Sequence, residues 1–274
     1  MLALPAYPAA MTSPSAPPLS SLPPPFRLDG GVAVVTGASS GLGARFTRVL
    51  HGAGATVVAA ARRVDRLEAL AASCGEGVVP VACDVTVEAE LEALVATASG
   101  VADGRIDVLV NNAGIGEPMP AEDEPFEHFR RVVDVNLNAT FRLTQLVAGA
   151  MLARRSGSIV NVASMLGLVA SAPVRQASYC ASKGAVVNLT RELACQWARK
   201  GVRVNAIAPG WFPSEMTAEM WTDESSMAFI TRNCPMGRGG AEHELDGVLL
   251  FLASDASSYV TGQIIAVDGG WTAR

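Results

Sequence analysis

Five consecutive residues, Tyr179-Cys180-Ala181-Ser182-Lys183, set a phenol and an ammonium four positions apart near the start of a long helical pattern. That spacing puts both side chains on one helix face. A free phenol has a pKa of about 10 and exchanges protons poorly near neutrality, but an adjacent cation favours the phenolate. Tyr179 is therefore a candidate for giving or taking a proton. Ser164 ends the run Ile159-Val160-Asn161-Val162-Ala163-Ser164. Its hydroxyl could polarise a carbonyl beside the phenol; the plainer role for such a serine is a cap.

A second group has the chemistry of phosphate binding. Thr36-Gly37-Ala38-Ser39-Ser40-Gly41-Leu42-Gly43 follows one apolar run and opens a helical one. Glycines there let the backbone approach a pyrophosphate, and a helix N-terminus offers unpaired N–H groups and a positive dipole end. A purely structural turn is the alternative. Asp84-Val85 closes a third run, where a carboxylate can take the exocyclic amine of adenine. Asn111-Asn112-Ala113-Gly114 closes a fourth, either at the carboxyl end of the sheet where ligands bind or simply as a turn.

The second run ends Ala61-Arg62-Arg63, and no carboxylate lies between Gly43 and Asp65. A carboxylate there would bond a ribose 2′-hydroxyl and repel a 2′-phosphate. Arg62, nineteen residues after Gly43, offers instead a planar fork for a phosphate. The reading favours NADP, with NAD possible and Arg62 as selector. The lesser alternative makes both arginines solvated residues opening the next helix; Asp65 reads as that helix's N-cap.

The elements that must hold these groups follow from periodicity. Valine-rich runs at Val32–Thr36, Thr56–Ala61, Val78–Ala82, Val108–Asn111, Ile159–Val162, Val202–Ile207 and Ile264–Val267 read as strands. Helical spacing covers Leu42–Ala53, Asp65–Ser73, Glu88–Ala98, Phe129–Ala153, Ser178–Lys200 and Glu242–Ala253. Alternation of the two predicts an α/β doubly wound Rossmann fold: a seven-stranded parallel sheet, apolar throughout because helices cover both faces. Residues 26–274 read as a single catalytic domain with a substrate lid over about 209–240. The lid carries Trp211, Phe212, Met216, Met220, Trp221 and Phe229, which either line an apolar pocket or close the lid onto the core. Arg175 either meets an anionic substrate group or is solvated. Residues 1–25 hold eight of the sixteen prolines and read as a disordered tail.

Composition narrows the function. Half of the residues are hydrophobic, 17% are charged and the net charge is −5, with Lys and Arg scattered, so no nucleic-acid footprint is expected. The partner is a small molecule. Five cysteines without a CxxC pair read as reduced thiols of a cytoplasmic protein, and His51, His128 and His243 lie too far apart for a metal site. No run reaches the roughly 18 apolar residues of a membrane span, and the early prolines disfavour a secretory signal. Translation from Met11 instead of Met1 stays open.

From Arg27 to Trp271 the sequence resembles the short-chain dehydrogenase/reductases of about 250 residues. The resemblance rests on TGxxxGxG at 36–43, NNAG at 111–114, Ser164 ahead of YxxxK at 179–183, Pro209-Gly210, and Val267-Asp268-Gly269-Gly270. It implies an NAD(P)-dependent, and by Arg62 an NADPH-dependent, oxidoreductase that interconverts a ketone and a secondary alcohol. Tyr179 would then be the acid/base, Ser164 would orient the carbonyl, and Lys183 would lower the phenol pKa and hold the nicotinamide ribose. Asn136 would anchor a water relaying protons to Lys183. Gly37, Ser39, Ser40, Gly41, Leu42, Gly43, Asp84, Val85, Asn112, Ala113, Gly114, Ile207, Pro209, Gly210 and Phe212 would line the cofactor cleft. Where the family usually has a threonine after Pro-Gly, this chain reads Trp211-Phe212-Pro213-Ser214-Glu215-Met216-Thr217, leaving Ser214 or Thr217 to reach the carboxamide. Ser164 and Tyr179 stand farther apart than usual, implying a longer loop at 170–176. A homotetramer built on helices 129–153 and 178–200 and on the C-terminal segment is also implied. The competing class is a silent dinucleotide-binding sensor or scaffold; dehydration or epimerisation on the same fold is a third reading.

Overall fold

The computed structural model describes residues 22–274. Seven parallel strands lie in the order β3-β2-β1-β4-β5-β6-β7. They are β1 (Val32–Thr36), β2 (Thr56–Ala61), β3 (Val78–Ala82), β4 (Val108–Asn111), β5 (Gly157–Val162), β6 (Val202–Pro209) and β7 (Ile264–Val267). Strand order reverses between β1 and β4, so the turns that follow those two strands diverge and leave a crevice at their carboxyl ends.

The burial of β1 shows why its sequence is apolar at every position. Ala33 and Val35 face one core, with Phe46 and Leu50 of α1 (Gly41–Gly52) and Leu249 and Leu252 of α9 (Asp246–Ala253). Val32 and Val34 face another, with Leu91 and Leu94 of α3 (Glu88–Val101), Leu143 and Val147 of α5 (Ala139–Arg154) and Leu193 of α6 (Ala177–Trp197). Successive strand residues point to opposite faces, so two covered faces require an unbroken apolar run. Helix α2 (Val64–Cys74) completes the unit after β2.

Four expectations need correction. The stretch Phe129–Ala153 is not one helix: α4 (Phe126–Val133) passes into a π-helical turn at Asp134–Asn138 before α5 begins. The π turn coincides with a side-chain clamp by Asn136 onto Ile115 and Ser182. Asp65 is not an N-cap; Arg63 holds that position without a side-chain cap bond, and Asp65 sits in the first turn. The segment Glu242–Ala253 opens as a 3₁₀ turn, Glu242–Leu245. Finally, residues 22–25, assigned by composition to the tail, are ordered: Pro24–Phe26 is a 3₁₀ turn, and Leu22 and Phe26 pack on the α1 side of the sheet. Prolines pre-set that turn and the two apolar side chains anchor it. The rest of the tail, residues 1–21, lies outside the described residues.

The lid region contains a 3₁₀ turn at Glu215–Thr217, then α7 (Ala218–Thr222) and α8 (Glu224–Asn233). All five cysteines are free thiols. Among the described residues no helix is long and apolar enough to cross a membrane, and no group of His, Cys, Asp and Glu could hold a metal.

Candidate active site

A cleft of about 800 Å³ runs along the carboxyl ends of β1 to β6. Every catalytic and cofactor-binding candidate named from the sequence lines it except Asn136 and Ile207, which are buried.

At one end the β1–α1 turn passes close to β4. Asn112 Nδ2 donates to Thr36 O at 2.9 Å, and the Asn112 and Ala113 N–H groups donate to Thr36 Oγ1 at 3.1 and 3.0 Å. The second asparagine of NNAG thus ties the turn to the sheet. Gly43 is required by the same approach: a Cβ there would stand 2.2 Å from Gly37 O and 2.6 Å from Asn112 Nδ2. Ser40 is the N-cap of α1 but makes no side-chain cap bond, so the first-turn N–H groups stay available to a ligand. Asn111, one residue earlier, instead joins a buried amide ladder, donating to Asn161 Oδ1 at 2.9 Å and Thr144 Oγ1 at 2.8 Å.

Beyond β3, Asp84 Oδ1 accepts from the Thr86 N–H at 3.0 Å and from its hydroxyl at 2.7 Å. These bonds hold the Asp84 carboxyl below its ordinary range, with smaller help from the charges of Arg62 and Arg131. Arg62 lines the cleft but makes no hydrogen bond among the described residues, whereas Arg63 is bound to the glycine-rich turn, with Nη2 donating to Ser39 Oγ at 3.0 Å and to Ser40 Oγ at 2.9 Å. Arg63 N-caps α2, which aims its side chain back across β1.

At the other end, α6 presents Tyr179 and Lys183 together. Lys183 is 4% exposed; its Nζ donates to Val162 O at 2.7 Å and lies 5.8 Å from the Tyr179 ring centre. Burial pushes the Lys183 ammonium down to about 8. The Tyr179 phenol is pushed up by burial, opposed by a hydrogen bond with Ser164. In the chain alone desolvation disfavours the phenolate more than the Ser164 hydrogen bond favours it. Ser164 also accepts from the Leu166 N–H at 3.1 Å, so it is both a cap and a partner of the phenol. The Tyr179 ring lies against the backbone of Gly116, where a Cβ would stand 2.6 Å from ring carbon Cδ2.

Asn136 is 1% exposed. Its Oδ1 accepts from Ile115 N at 2.8 Å, while its Nδ2 donates to Ile115 O at 2.9 Å and Ser182 Oγ at 3.0 Å. The side chain therefore clamps the segment after NNAG to α6, the element that carries Tyr179 and Lys183. The loop at 170–176 is held at its end by Met119 N donating to Arg175 O at 2.8 Å, and the Arg175 side chain is exposed.

Of the six lid residues expected around an apolar pocket, Phe212 and Met216 reach the cleft. Trp211 and Phe229 instead pack edge-on against Trp271, each 5.7 Å away between ring centres, and Met220 joins that cluster. Trp221 donates from Nε1 to Thr217 Oγ1 at 3.2 Å. Ser214 and Thr217 both line the cleft, but their hydroxyls cap the lid turn: Thr217 Oγ1 donates to Phe212 O at 2.7 Å, and Ser214 Oγ accepts from Thr217 N at 3.2 Å. Sequence reasoning did not single out Glu215, whose carboxylate bonds Arg63 from 152 residues away.

A doubly wound parallel sheet, with an open helix N-terminus at its order reversal and a Tyr-Lys-Ser group across the same cleft, defines a dinucleotide-binding class of protein. A family model described as enoyl-(acyl carrier protein) reductase matches residues 37–272. Galactitol 2-dehydrogenase (L-tagatose-forming) of Cereibacter sphaeroides is 42% identical over 248 residues, 90% of this chain and 97% of that one. The 3-oxoacyl-[acyl-carrier-protein] reductase FabG of Thermotoga maritima is 40% identical over 249 residues, 89% and 99% of the two chains. A gluconate 5-dehydrogenase from Burkholderia cenocepacia, solved with NADP and tartrate, superposes with a TM-score of 0.85 at 36% identity, over 91% of this chain and 98% of that one. The chain belongs to the short-chain dehydrogenase/reductase family.

Proposed function

We propose that the chain is an NADP-dependent dehydrogenase that interconverts a secondary alcohol and a ketone, with Tyr179 moving the proton. The observation that carries this is the convergence at one cleft wall of the Tyr179 phenol, its Ser164 partner and the buried Lys183 ammonium. A dinucleotide fits the remaining wall, because the glycine-rich turn leaves α1 uncapped and Arg62 and Arg63 bring two guanidinium groups to the same cleft. Bound there, the nicotinamide supplies or accepts the hydride.

In the reducing direction, the Ser164 hydroxyl donates to the substrate carbonyl and fixes it beside Tyr179. The phenol, kept protonated by burial, gives its proton to the oxygen as negative charge develops there. Lys183 lies below the ring, and its positive charge stabilises the phenolate left behind. Asn136 positions α6 through Ser182 and the segment at Ile115, holding both partners in register. In oxidation the same groups act in reverse, the phenolate taking the alcohol proton.

The substrate class we favour is a polyol or sugar acid. Relatives are named as galactitol, gluconate and threitol dehydrogenases, and the removal of Trp211 and Phe229 to the Trp271 cluster leaves the cleft less apolar than the lid sequence implies. The FabG relatives point to acyl thioesters as the competing class. Purified protein should therefore be assayed with galactitol, gluconate and threitol plus NADP⁺ or NAD⁺, and with an acetoacetyl thioester plus NADPH, following nicotinamide absorbance. Turnover of a polyol or sugar acid faster with NADP⁺ supports the reading. Activity confined to the thioester overturns the substrate class, and no activity with any of them overturns the enzyme.

A further inference from the structure

Glu215 opens the lid turn, and its carboxylate is saturated by groups that belong to the other side of the cleft. Arg63 donates from Nη1 to Oε1 at 3.0 Å and from Nη2 to Oε2 at 2.8 Å. Ser40 Oγ donates to Oε2 at 2.9 Å, and Arg66 Nη1 donates to Oε1. Arg63 is itself braced by Ser39 and Ser40 of the glycine-rich turn. The Arg63 fork, a second guanidinium and one serine hydroxyl thus converge on one anion at the end of β2.

Such a donor set is what a phosphate requires. The side chains of Arg63, Arg66 and Glu215 are 40–50% exposed, so the cluster adds little to stability and is open to an incoming ligand. Its donors hold the Glu215 carboxyl down at about 2, so the carboxylate is charged at any physiological pH.

We propose that Glu215 is an internal competitor for the 2′-phosphate subsite: its carboxylate fills the Arg63–Arg66–Ser40 cradle until the phosphate of NADP displaces it, and it thereby sets the discrimination between NADPH and NADH. This rests on the NADP reading above. A phosphate and a carboxylate cannot share the Arg63 fork without two like charges in contact. NADH has no group to contest the cradle and leaves Glu215 in place. A carboxylate serving as ribose ligand would need an oxygen open to a hydroxyl donor, whereas both Glu215 oxygens already hold charged donors. Displacement also frees the first residues of the lid from α2, so the phosphate is sensed by the segment that bounds the substrate side.

The test is Glu215→Gln, which keeps length and shape and removes the charge. Titration calorimetry of the full chain should compare NADPH, NADH and adenosine 2′,5′-bisphosphate in wild type, Glu215→Gln, Arg63→Ala and the double variant. Glu215→Gln should bind NADPH and the bisphosphate about three- to tenfold tighter, with NADH within twofold, and the gain should vanish on the Arg63→Ala background. Wild-type preference for NADPH with no change in Glu215→Gln overturns the competitor and leaves the NADP reading standing. Weaker NADH binding in Glu215→Gln, with NADPH unchanged, overturns it in favour of a ribose ligand. If neither wild type nor Glu215→Gln binds the bisphosphate or prefers NADPH, the NADP reading falls and the competitor with it. Matching thermal melts of wild type and variant establish that the fold is intact.

Discussion

Replacing Lys183 by methionine should stabilise the chain at neutral pH while removing the proposed activity. The ammonium is 4% exposed and bonds Val162 O, and burial moves its pKa from 10.5 to about 8. At about 1.4 kcal/mol per tenfold change in proton affinity, that is roughly 3 kcal/mol of destabilisation. The unfolded chain holds this proton more tightly than the folded one. Wild-type stability therefore carries the full penalty below about pH 8 and recovers it as pH rises toward 10.5. Methionine fills a similar volume without charge and forfeits one hydrogen bond of about 1 kcal/mol. The net gain at pH 7 is about 1–2 kcal/mol, a rise in Tm of roughly 3–6 °C for a domain of this size. Calorimetric melts at pH 7 and pH 10 and one protein concentration would measure it. A less stable variant at pH 7, or an equal gain at both pH values, would refute the argument that burial of charge dominates at Lys183.

Other substitutions probe the walls of the cleft. Gly43→Ala drives a Cβ into Gly37 O and Asn112 Nδ2, and should weaken dinucleotide binding at least tenfold in a fluorescence titration. Asn136→Ala leaves the Ile115 N–H and C=O without their partner and should cost about 2–4 kcal/mol in denaturant unfolding. Trp271→Ala removes the ring that holds Trp211 and Phe229, costing about 3–5 kcal/mol and releasing the lid, visible as faster proteolysis within 209–240.

The strands were legible because burial on two faces leaves little freedom: β1 and β2 read directly as apolar runs. Where polar residues are buried, the pattern understates the element. β5 starts at Gly157, ahead of the expected Ile159, because the buried Ser158 hydroxyl is satisfied by Leu252 O. β6 continues to Pro209, which stays in register with Val267 of β7 although it donates no hydrogen bond. Tyr179 and Lys183 were legible because i, i+4 spacing on a helix is local information. The π turn at Asn136 was not, since it accompanies a clamp onto Ile115, a contact with no sequence period. The ties of Arg63 to the glycine-rich turn and to the lid were illegible for a related reason. Adjacent residues at a strand end differ by the direction of the turn that follows, and the partner that identifies Arg63, Glu215, lies in the lid.

The central claim is proton transfer by Tyr179, and Tyr179→Phe tests it most directly, deleting one oxygen from a ring packed against Gly116 and leaving its volume in place. NADPH affinity and single-turnover hydride transfer should be measured on the same preparation, with whichever substrate the screen identifies. The account predicts a dissociation constant within about twofold of wild type and hydride transfer slowed by roughly 10²–10⁴. Near-normal transfer in the phenylalanine variant would contradict it.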